Sequence, residues 1–553
     1  MRDLVKRLKP DHFDDIVALV ALFRPGPLQS GMVDDFVSRK NGNNDLAIDY
    51  LHPDLEPVLT GTYGVILYQE QVMQIAQQLS GYSLGEADIL RRAMGKKKPE
   101  EMAQQRSIFV DGATTRGVAK AVASRIFDLI EKFAGYGFNK SHSAAYALLS
   151  YQTAWLKAHY PAAFMASVLS SEMDDTDKLV ILQRDCDDSG IELMPPDIND
   201  SDHGFRIRGN EAIRYGLGAI KGLGKSAAEQ ILDVRQDGPF VSLDDFCQRL
   251  STIKVGRRAI EALIKSGAMD ALGLNRPGLL ATLPTALSRA EQAARARDAG
   301  QNDMFCLETE ETSQPRLEVS HPDWSFRQRL DAERESLGLY MSGHPFDQYR
   351  ADAPFISSGT ISGLISQQPK KNGNDKPWSG GRDVVVAGLV TGLRKRGGRV
   401  SLELDDGKAQ IEVSLFQETF ERFRHLLTPN EILVITGSLK FDDFIDGWKV
   451  TAKEVADIDR VIESRSPNLI IRWSEDVNGR MNADQLKQVL EPFRPGRCDI
   501  SVFYARKDAQ ARVRLGSDWS VRPSRELREQ LSEIVGLDGF RFIYNVPAQV
   551  PKH

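Results

Sequence analysis

A chain of 553 residues is too long for one hydrophobic core, and roughly three to four domains are expected. Hydrophobic residues at 41% and charged residues at 27% are ordinary for a water-soluble globular protein, and no apolar run approaches the roughly 18 residues that span a bilayer. The net charge of −6 excludes a globally basic nucleic-acid binder, but binding needs only a local basic face.

The first segment, Met1-Arg2-Asp3-Leu4-Val5-Lys6, lacks the apolar stretch of a secretory signal. From residue 10 to about 175 the pattern predicts helices broken at Arg24-Pro25-Gly26-Pro27, Gly61-Thr62-Tyr63-Gly64 and Gly135-Tyr136-Gly137. Between 141 and 169 the apolar content runs almost all round, which predicts a buried helix. Pro195-Pro196-Asp197 marks a boundary. Two short helical units are expected over 213–273: an apolar helix, a Gly-x-Gly hairpin at Gly222 and Gly224 and a second helix, then a related, degenerate pattern over 258–270. An Ala- and Arg-rich helix is expected at about 289–299, then a polar linker over 307–320. Residues 357–382 read as a second long loop. Strand signals follow at 384–390, 400–404 and 409–416, then a helix at 419–427 and strands at 432–439 and 448–452. Three strands, a helix and two strands is the order of an OB-fold barrel. The last part, from about 467, predicts a small α/β domain.

Several motifs carry chemistry. The glycines at Gly222 and Gly224 let the backbone approach a phosphate, the next helix presents free N–H groups, and Lys221 and Lys225 add charge. The alternative is a tight helix–helix turn, and a second hairpin close behind favours DNA binding. Arg91, Arg92, Lys96, Lys97 and Lys98 form a cation run that is either a solvated helix end or an anion site. The second reading draws on Asn139-Lys140-Ser141-His142, where Asn139 or Ser141 can cap a helix while Lys140 and His142 point past its N-terminus toward a triphosphate. In the barrel, Arg394, Lys395 and Arg396 with Phe441, Phe444 and Trp448 suit a single-strand groove, unless the aromatics only fill the barrel. Gln301-Asn302-Asp303-Met304-Phe305 can plug two apolar side chains into a partner's pocket. Pro196-Asp197-Ile198-Asn199-Asp200 superficially suggests paired metal-binding carboxylates but reads as an interdomain loop. Cys186, Cys247, Cys306 and Cys498 lie far apart with no metal-ligand spacing, so neither zinc nor a disulfide framework is expected, which suits a cytoplasmic location.

Long blocks resemble the alpha subunit of bacterial DNA polymerase III. They include Ala21-Leu22-Phe23-Arg24-Pro25-Gly26-Pro27-Leu28, Tyr68-Gln69-Glu70-Gln71-Val72-Met73, residues 90–99, residues 132–146, Pro195-Pro196-Asp197-Ile198-Asn199 and residues 338–345. The resemblance covers nearly the whole chain and is looser toward its end, where the tail after Phe540 departs from the pattern. It implies a multidomain α+β protein: mostly helical fingers at 1–200, a tandem helix-hairpin-helix and clamp-binding domain at 201–306, a linker and connecting segment at 307–382, an OB-fold β-barrel at 383–460 and a small C-terminal α/β domain at 461–553 that binds the clamp-loader tau subunit. Carried over, Arg91, Arg92, Lys140 and His142 face the incoming dNTP, while Gln301, Asp303, Met304 and Phe305 dock on the sliding clamp (beta). Primed duplex and single-stranded DNA are the other implied partners, and the proofreading exonuclease subunit is implied by family only.

The family begins with PHP, palm and thumb domains, and its three palm aspartates are expected upstream of Met1. Two-metal phosphoryl transfer needs those carboxylates to hold Mg²⁺. This chain alone is therefore expected to bind no cofactor and not to polymerise, Mg²⁺ belonging to the intact polymerase. Two other readings are a non-catalytic adaptor that links clamp and clamp loader, and a fragment of the mutagenic paralogue.

Overall fold

In the helix Gln69–Ser80, Val72, Ile75, Ala76 and Leu79 recur at three- and four-residue spacing, and all four are buried. Glycine ends that helix: Gly81 adopts φ 74° and its N–H returns to the last turn. The same logic repeats through a computed structural model that describes residues 1–42, 48–96, 99–134, 137–250, 255–298, 321–366, 381–396, 399–442, 447–465, 468–474, 483–505 and 510–544. The chain divides into two compact units, Met1–Met165 and Ala166–His553.

The first unit is helical, as expected, and holds two cores. One gathers Leu8, Leu22, Phe36, Leu67 and Tyr68, and the other gathers Leu59, Ile75, Leu90, Phe109 and Phe127. The helix Lys140–His159 departs from expectation. It buries only Ser143 and Ala147, and Tyr146, Leu148, Leu149, Tyr151, Trp155 and Leu156 are exposed. An all-round apolar composition states what a helix requires, and nothing in it states which neighbour supplies the cover.

The second unit opens with a three-stranded sheet that the sequence did not announce. Its strands β1 (Glu192–Met194), β2 (Arg206–Arg208) and β3 (Ala212–Arg214) lie in the order β1-β3-β2. Three residues per strand are too few for a visible alternation. Helices Lys225–Arg235, Leu243–Arg249, Arg257–Lys265 and Arg276–Asp298 follow. The apolar helix expected ahead of Gly222 is a single 3₁₀ turn, Leu217–Ala219. Gly216 explains part of this: a Cβ there would lie 2.6–2.8 Å from the backbone of residues 203 and 204, so a close crossing and not a helix fixes the segment.

Helix Phe326–Leu337 brings Glu333, fully buried, against Arg276 (3.2 Å) and the N–H groups of Met341 and Ser342 (2.9 Å each). Residues 357–366 are not a loop. Thr360 caps the helix Ile361–Ile365, and Ile361 and Leu364 enter the barrel core. The sequence signal was polar because only two side chains of that short helix are fully buried, with Ile365 packed beside them.

The barrel closes as β4 (Arg382–Arg396), β5 (Arg399–Asp405), β6 (Gln410–Leu415), β8 (Gly447–Asp457) and β7 (Ile432–Asp442), with the helix Gln417–Phe423 between β6 and β7. Inward residues alternate strictly in β6, where Ile411, Val413 and Leu415 are buried. The C-terminal region is α/β, as expected. Its sheet runs β11-β10-β9-β12, from β9 (Asn468–Ser474), β10 (Asp499–Ala505), β11 (Gln510–Arg514) and β12 (Phe540–Ile543), with β9 and β10 parallel. Barrel and sheet are not separate beads. Leu389, Ile432, Ile458, Leu469, Ile500, Leu531 and Phe542 belong to one hydrophobic cluster.

Candidate nucleotide site and nucleic-acid interface

The backbone bridge between Tyr68 and Phe138 joins the 68–73 and 132–146 blocks, and Gln69 N–H donates to Phe138 O at 2.9 Å. The next residue, Asn139, caps the helix Lys140–His159 by accepting from His142 N–H at 2.9 Å. Asn139 Nδ2 donates to Glu70 at 2.8 Å, and Lys140 N–H donates to both Glu70 oxygens at 2.9 and 3.0 Å. A carboxylate therefore already satisfies the first orphan donor of this helix. Of the first three N–H groups only that of Ser141 is left for an anion bound beside it, so side chains must do most of the holding. Those side chains rest on rings: Lys140 Nζ lies 5.6 Å from the Tyr68 centroid, and His142 meets Phe138 edge-on at 5.2 Å and Tyr146 at 4.6 Å. Burial, then the nearby Asp14 and Glu70 carboxylates, push the Tyr68 hydroxyl well above its ordinary pKa, so it stays neutral as a platform.

Arg91 and Arg92 lie on the helix Leu84–Lys96, and both turn to Asp88 at 2.8 Å. The Arg91 hydrogen bond is the main reason that the Asp88 carboxyl is held below its usual range. Among the described residues, no hydrogen bond, ion pair or ring contact joins these two arginines to Lys140 or His142. Lys96 ends that helix, and Lys97 and Lys98 lie outside the described residues. The cation that does meet the Lys140 and His142 cluster is Arg24, whose guanidinium carbon lies 4.3 Å from the Phe138 centroid. Arg24 stood in a recognised block without an assigned role. A tertiary contact across more than a hundred residues leaves no local signal.

Among the described residues, one group of acids and histidine is close enough to share a metal ion: Asp11, His12 and Asp15. It fits a Mg²⁺ pair poorly. Lys40 Nζ stands 2.5 Å from Asp11 and 3.0 Å from Asp15, and Asp15 also accepts from the Tyr63 hydroxyl and two backbone N–H groups. The 196–200 segment is likewise structural, since Asp200 pairs with Arg208 and Arg214. Burial, then Asp244, push the Cys247 thiol up to about 12, which leaves it inert.

At the hairpins, Gly222 takes φ 88°, a conformation that favours glycine. Gly224 caps Lys225–Arg235 at φ −67° and ψ 154°, and Gly256 caps Arg257–Lys265 at −68° and 150°. Neither helix has a side-chain cap, so two N-termini of matching geometry present open N–H groups. A Cβ on Gly222 would lie 3.8 Å from Ala262 Cβ, so the two units touch. The parallel between Leu223-Gly224-Lys225 and Val255-Gly256-Arg257 is visible in the sequence, and the second hairpin lies just ahead of the 258–270 segment expected to hold it. Lys225 is exposed, with Glu229 only within 3.9 Å, whereas Lys221 donates its N–H to Ser336 O at the end of the helix Phe326–Leu337.

On the barrel, Arg394 lies 3.7 Å from Glu403, and Lys395 sits 4.6 Å over the Phe420 ring. Lys449 pairs with Glu412 at 2.7 Å, and Phe441 meets Trp448 edge-on at 5.5 Å. Arg396 ends β4. Phe444 and the peptide with Gln301, Asp303, Met304 and Phe305 lie outside the described residues. Among the described residues, Arg394 and Lys449 are thus each matched by a carboxylate on the neighbouring strand, and these charges form no continuous basic track.

Comparison with known proteins follows this division. Residues 1–117 match the bacterial DNA polymerase III alpha subunit finger domain, 190–279 a helix-hairpin-helix motif, 384–458 an OB-fold nucleic acid binding domain and 485–536 the DNA polymerase III subunit alpha C-terminal domain. DNA polymerase III subunit alpha of Escherichia coli (strain K12) is 48% identical over 97% of this chain and 46% of its own length. The same subunit of Vibrio cholerae is 46% identical over 99% of this chain and 47% of its own, and that of Pseudomonas aeruginosa is 43% identical over 97% and 47%. A solved OBody bound to hen egg-white lysozyme is 26% identical over 14% of this chain and 94% of its own, with a TM-score of 0.13. The chain is thus similar, over nearly all of its own length, to bacterial DNA polymerase III subunit alpha, and it spans about half the length of the curated relatives it matches.

Proposed function

We propose that this chain is the substrate- and partner-gripping portion of the replicative polymerase, whose intact form adds dNTPs to a primer 3′ end on a DNA template. The observation that carries the reading is the ring-mounted pair Lys140 and His142 at the start of a helix whose first N–H is taken by Glu70. That arrangement grips a triphosphate through side chains. Arg91 and Arg92 serve the same substrate from the helix Leu84–Lys96, and Lys96, Lys97 and Lys98 are assigned to DNA binding. The carboxylates that hold Mg²⁺ belong, in this reading, to the share of the relatives' length that this chain does not span. The domain boundaries expected from the sequence, with fingers to residue 200 and the C-terminal region from 461, are part of the proposal.

The two glycine-capped helices bind the duplex backbone, with Lys221, Gly222, Gly224 and Lys225 at the hairpin that opens one of them. The barrel, with Arg394, Lys395 and Arg396, takes the single strand. Gln301, Asp303, Met304 and Phe305 dock on the sliding clamp, the C-terminal region meets the clamp-loader tau subunit, and the exonuclease subunit binds the share outside this chain. No helix among the described residues is long and apolar enough to cross a membrane, and the proposed location is the cytoplasm.

Primer extension tests the reading. With primed DNA, dNTPs and Mg²⁺ the chain alone gives no product, and adding the missing half of a relative as a separate chain restores synthesis. Robust synthesis by the pure chain would overturn the placement of the metal ligands elsewhere. Duplex affinity falls steeply with salt, because phosphate contacts release counterions, and Lys225→Ala flattens the slope by about one.

A further inference from the structure

We propose that the open face of the C-terminal sheet β11-β10-β9-β12 binds single-stranded DNA, with its arginines on the phosphates and Phe503 under a base. This is a second single-strand site beyond the barrel, and it stands on observations independent of the barrel reading.

One face of the sheet is spent on the shared core: Leu469, Ile471, Ile500, Val502, Phe540 and Phe542 belong to its cluster. Side chains alternate along a strand, so the residues between these share the opposite face, and the strand register sets them side by side. Arg541, Ile470, Ser501 and Arg514 form one row across all four strands, and Arg472, Phe503 and Arg512 form the next. Phe503 thus stands between two arginines and is 36% exposed, and all four arginines are exposed. The ends of the longer row lie three strand spacings apart, about 14 Å, which spans several phosphates of one strand. Two of the cations are braced on the sheet: Arg514 pairs with Asp499 at 2.6 Å, and Arg512 donates to Ser501 Oγ at 3.3 Å. No hydrogen bond or ion pair engages Arg472 or Arg541 among the described residues. Asp499 is the one acid that the described strands place on this face, and its carboxylate is already taken by Arg514 and Ser520.

These side chains select the occupant. A docked protein needs a core of apolar anchors, and here one exposed ring stands among four cations. A single strand needs what is present, guanidinium forks for phosphate oxygens and a ring for a base.

The test is equilibrium binding of a labelled oligothymidylate of about twelve nucleotides, and of a polyglutamate peptide, to the full chain and its variants. The variants are R472Q/R541Q, F503A, F503Y and, for the barrel, K395E, each checked by thermal unfolding. R472Q/R541Q is expected to weaken the oligonucleotide about tenfold and to lower the salt slope by about 1.4, since each single-strand phosphate contact contributes about 0.7. F503A should weaken it about tenfold, as loss of a stacked base does, and F503Y should keep the affinity. Polyglutamate should bind far more weakly and ignore F503A. Unchanged affinity and slope in folded R472Q/R541Q overturn the inference, and K395E then shows whether the barrel reading stands. Polyglutamate binding as tight as the oligonucleotide, with the oligonucleotide indifferent to F503A, would make the face a dock for an acidic protein and also overturn it. Should R472Q/R541Q not fold, F503A decides: full oligonucleotide affinity in that variant sinks the site.

Discussion

Arg528 is 2% exposed, and its guanidinium lies between the rings of Tyr349 (4.7 Å) and Phe542 (4.5 Å). It pairs with the equally buried Asp352 at 2.7 Å, which also accepts from the Tyr544 hydroxyl at 2.7 Å. Removing one partner leaves the other charge buried and alone. Arg528→Ala should therefore lose about 3–5 kcal/mol in urea unfolding, and Arg528→Met, paired with Asp352→Leu, much less. Asp459 makes a second residue-level prediction. It accepts from Tyr349 and from the Arg525 N–H, yet burial dominates and raises its pKa to about 6 from the ordinary 3.8. The folded state thus holds a proton that the unfolded chain releases. The contribution is fully present below pH 4 and fades as pH rises through 6, by at most about 3 kcal/mol. Asp459→Asn should remove that slope from the unfolding free energy between pH 4 and 6. None of this was legible: in Arg525-Glu526-Leu527-Arg528-Glu529 the buried arginine looks like any charge on an amphipathic helix.

Elements were read well where their period was long enough to be seen. The five barrel strands all appear, because each alternates over five or more residues and one face of each is sealed inside. Four of them were read short, β4 most of all, since it reaches from Arg382 to Arg396 and its ends lie beyond the apolar run, whereas the third, expected over 409–416, runs only Gln410–Leu415. A bulge between Thr436 and Gly437 bends β7 across β8, and a Cβ at Gly437 would lie 2.3 Å from Thr451 O. Gly437→Ala should therefore cost about 1–3 kcal/mol in the chemical unfolding of the barrel. An unchanged midpoint would show that β8 can yield. The helix Lys140–His159 is the opposite case, since its pattern announced burial and its cover is not local. The open N-termini at Gly224 and Gly256 fall between, legible as glycines in a spacing and convincing only once the two caps share the same backbone angles.

At the scale of the molecule, the expected division between a barrel and a C-terminal domain meets a continuous core. Phe346, Tyr349 and Ile356 from the connecting segment, Leu389 and Ile432 from the barrel and Leu469, Val502 and Leu531 from beyond it pack as one cluster. Such a core should unfold as a unit. Native-state hydrogen exchange is expected to show protection lost at one urea concentration across β4–β8 and β9–β12, and Ile458→Ala should lower both together. Separate midpoints for the two sheets would show that the shared cluster is not cooperative.

The sequence alone determined the order of the parts, the helical, hairpin, barrel and α/β character of each, and the blocks that carry the family likeness. These are written in local period, turn chemistry and residue identity, which act over a few positions. The tertiary structure decided what those residues meet. It set Arg24 against Phe138, closed Glu70 over the helix that launches Lys140, and fused barrel and sheet into one core. Each is a contact between segments far apart in the chain, and a side chain's partner is fixed by where the backbone returns, which no short window of sequence records.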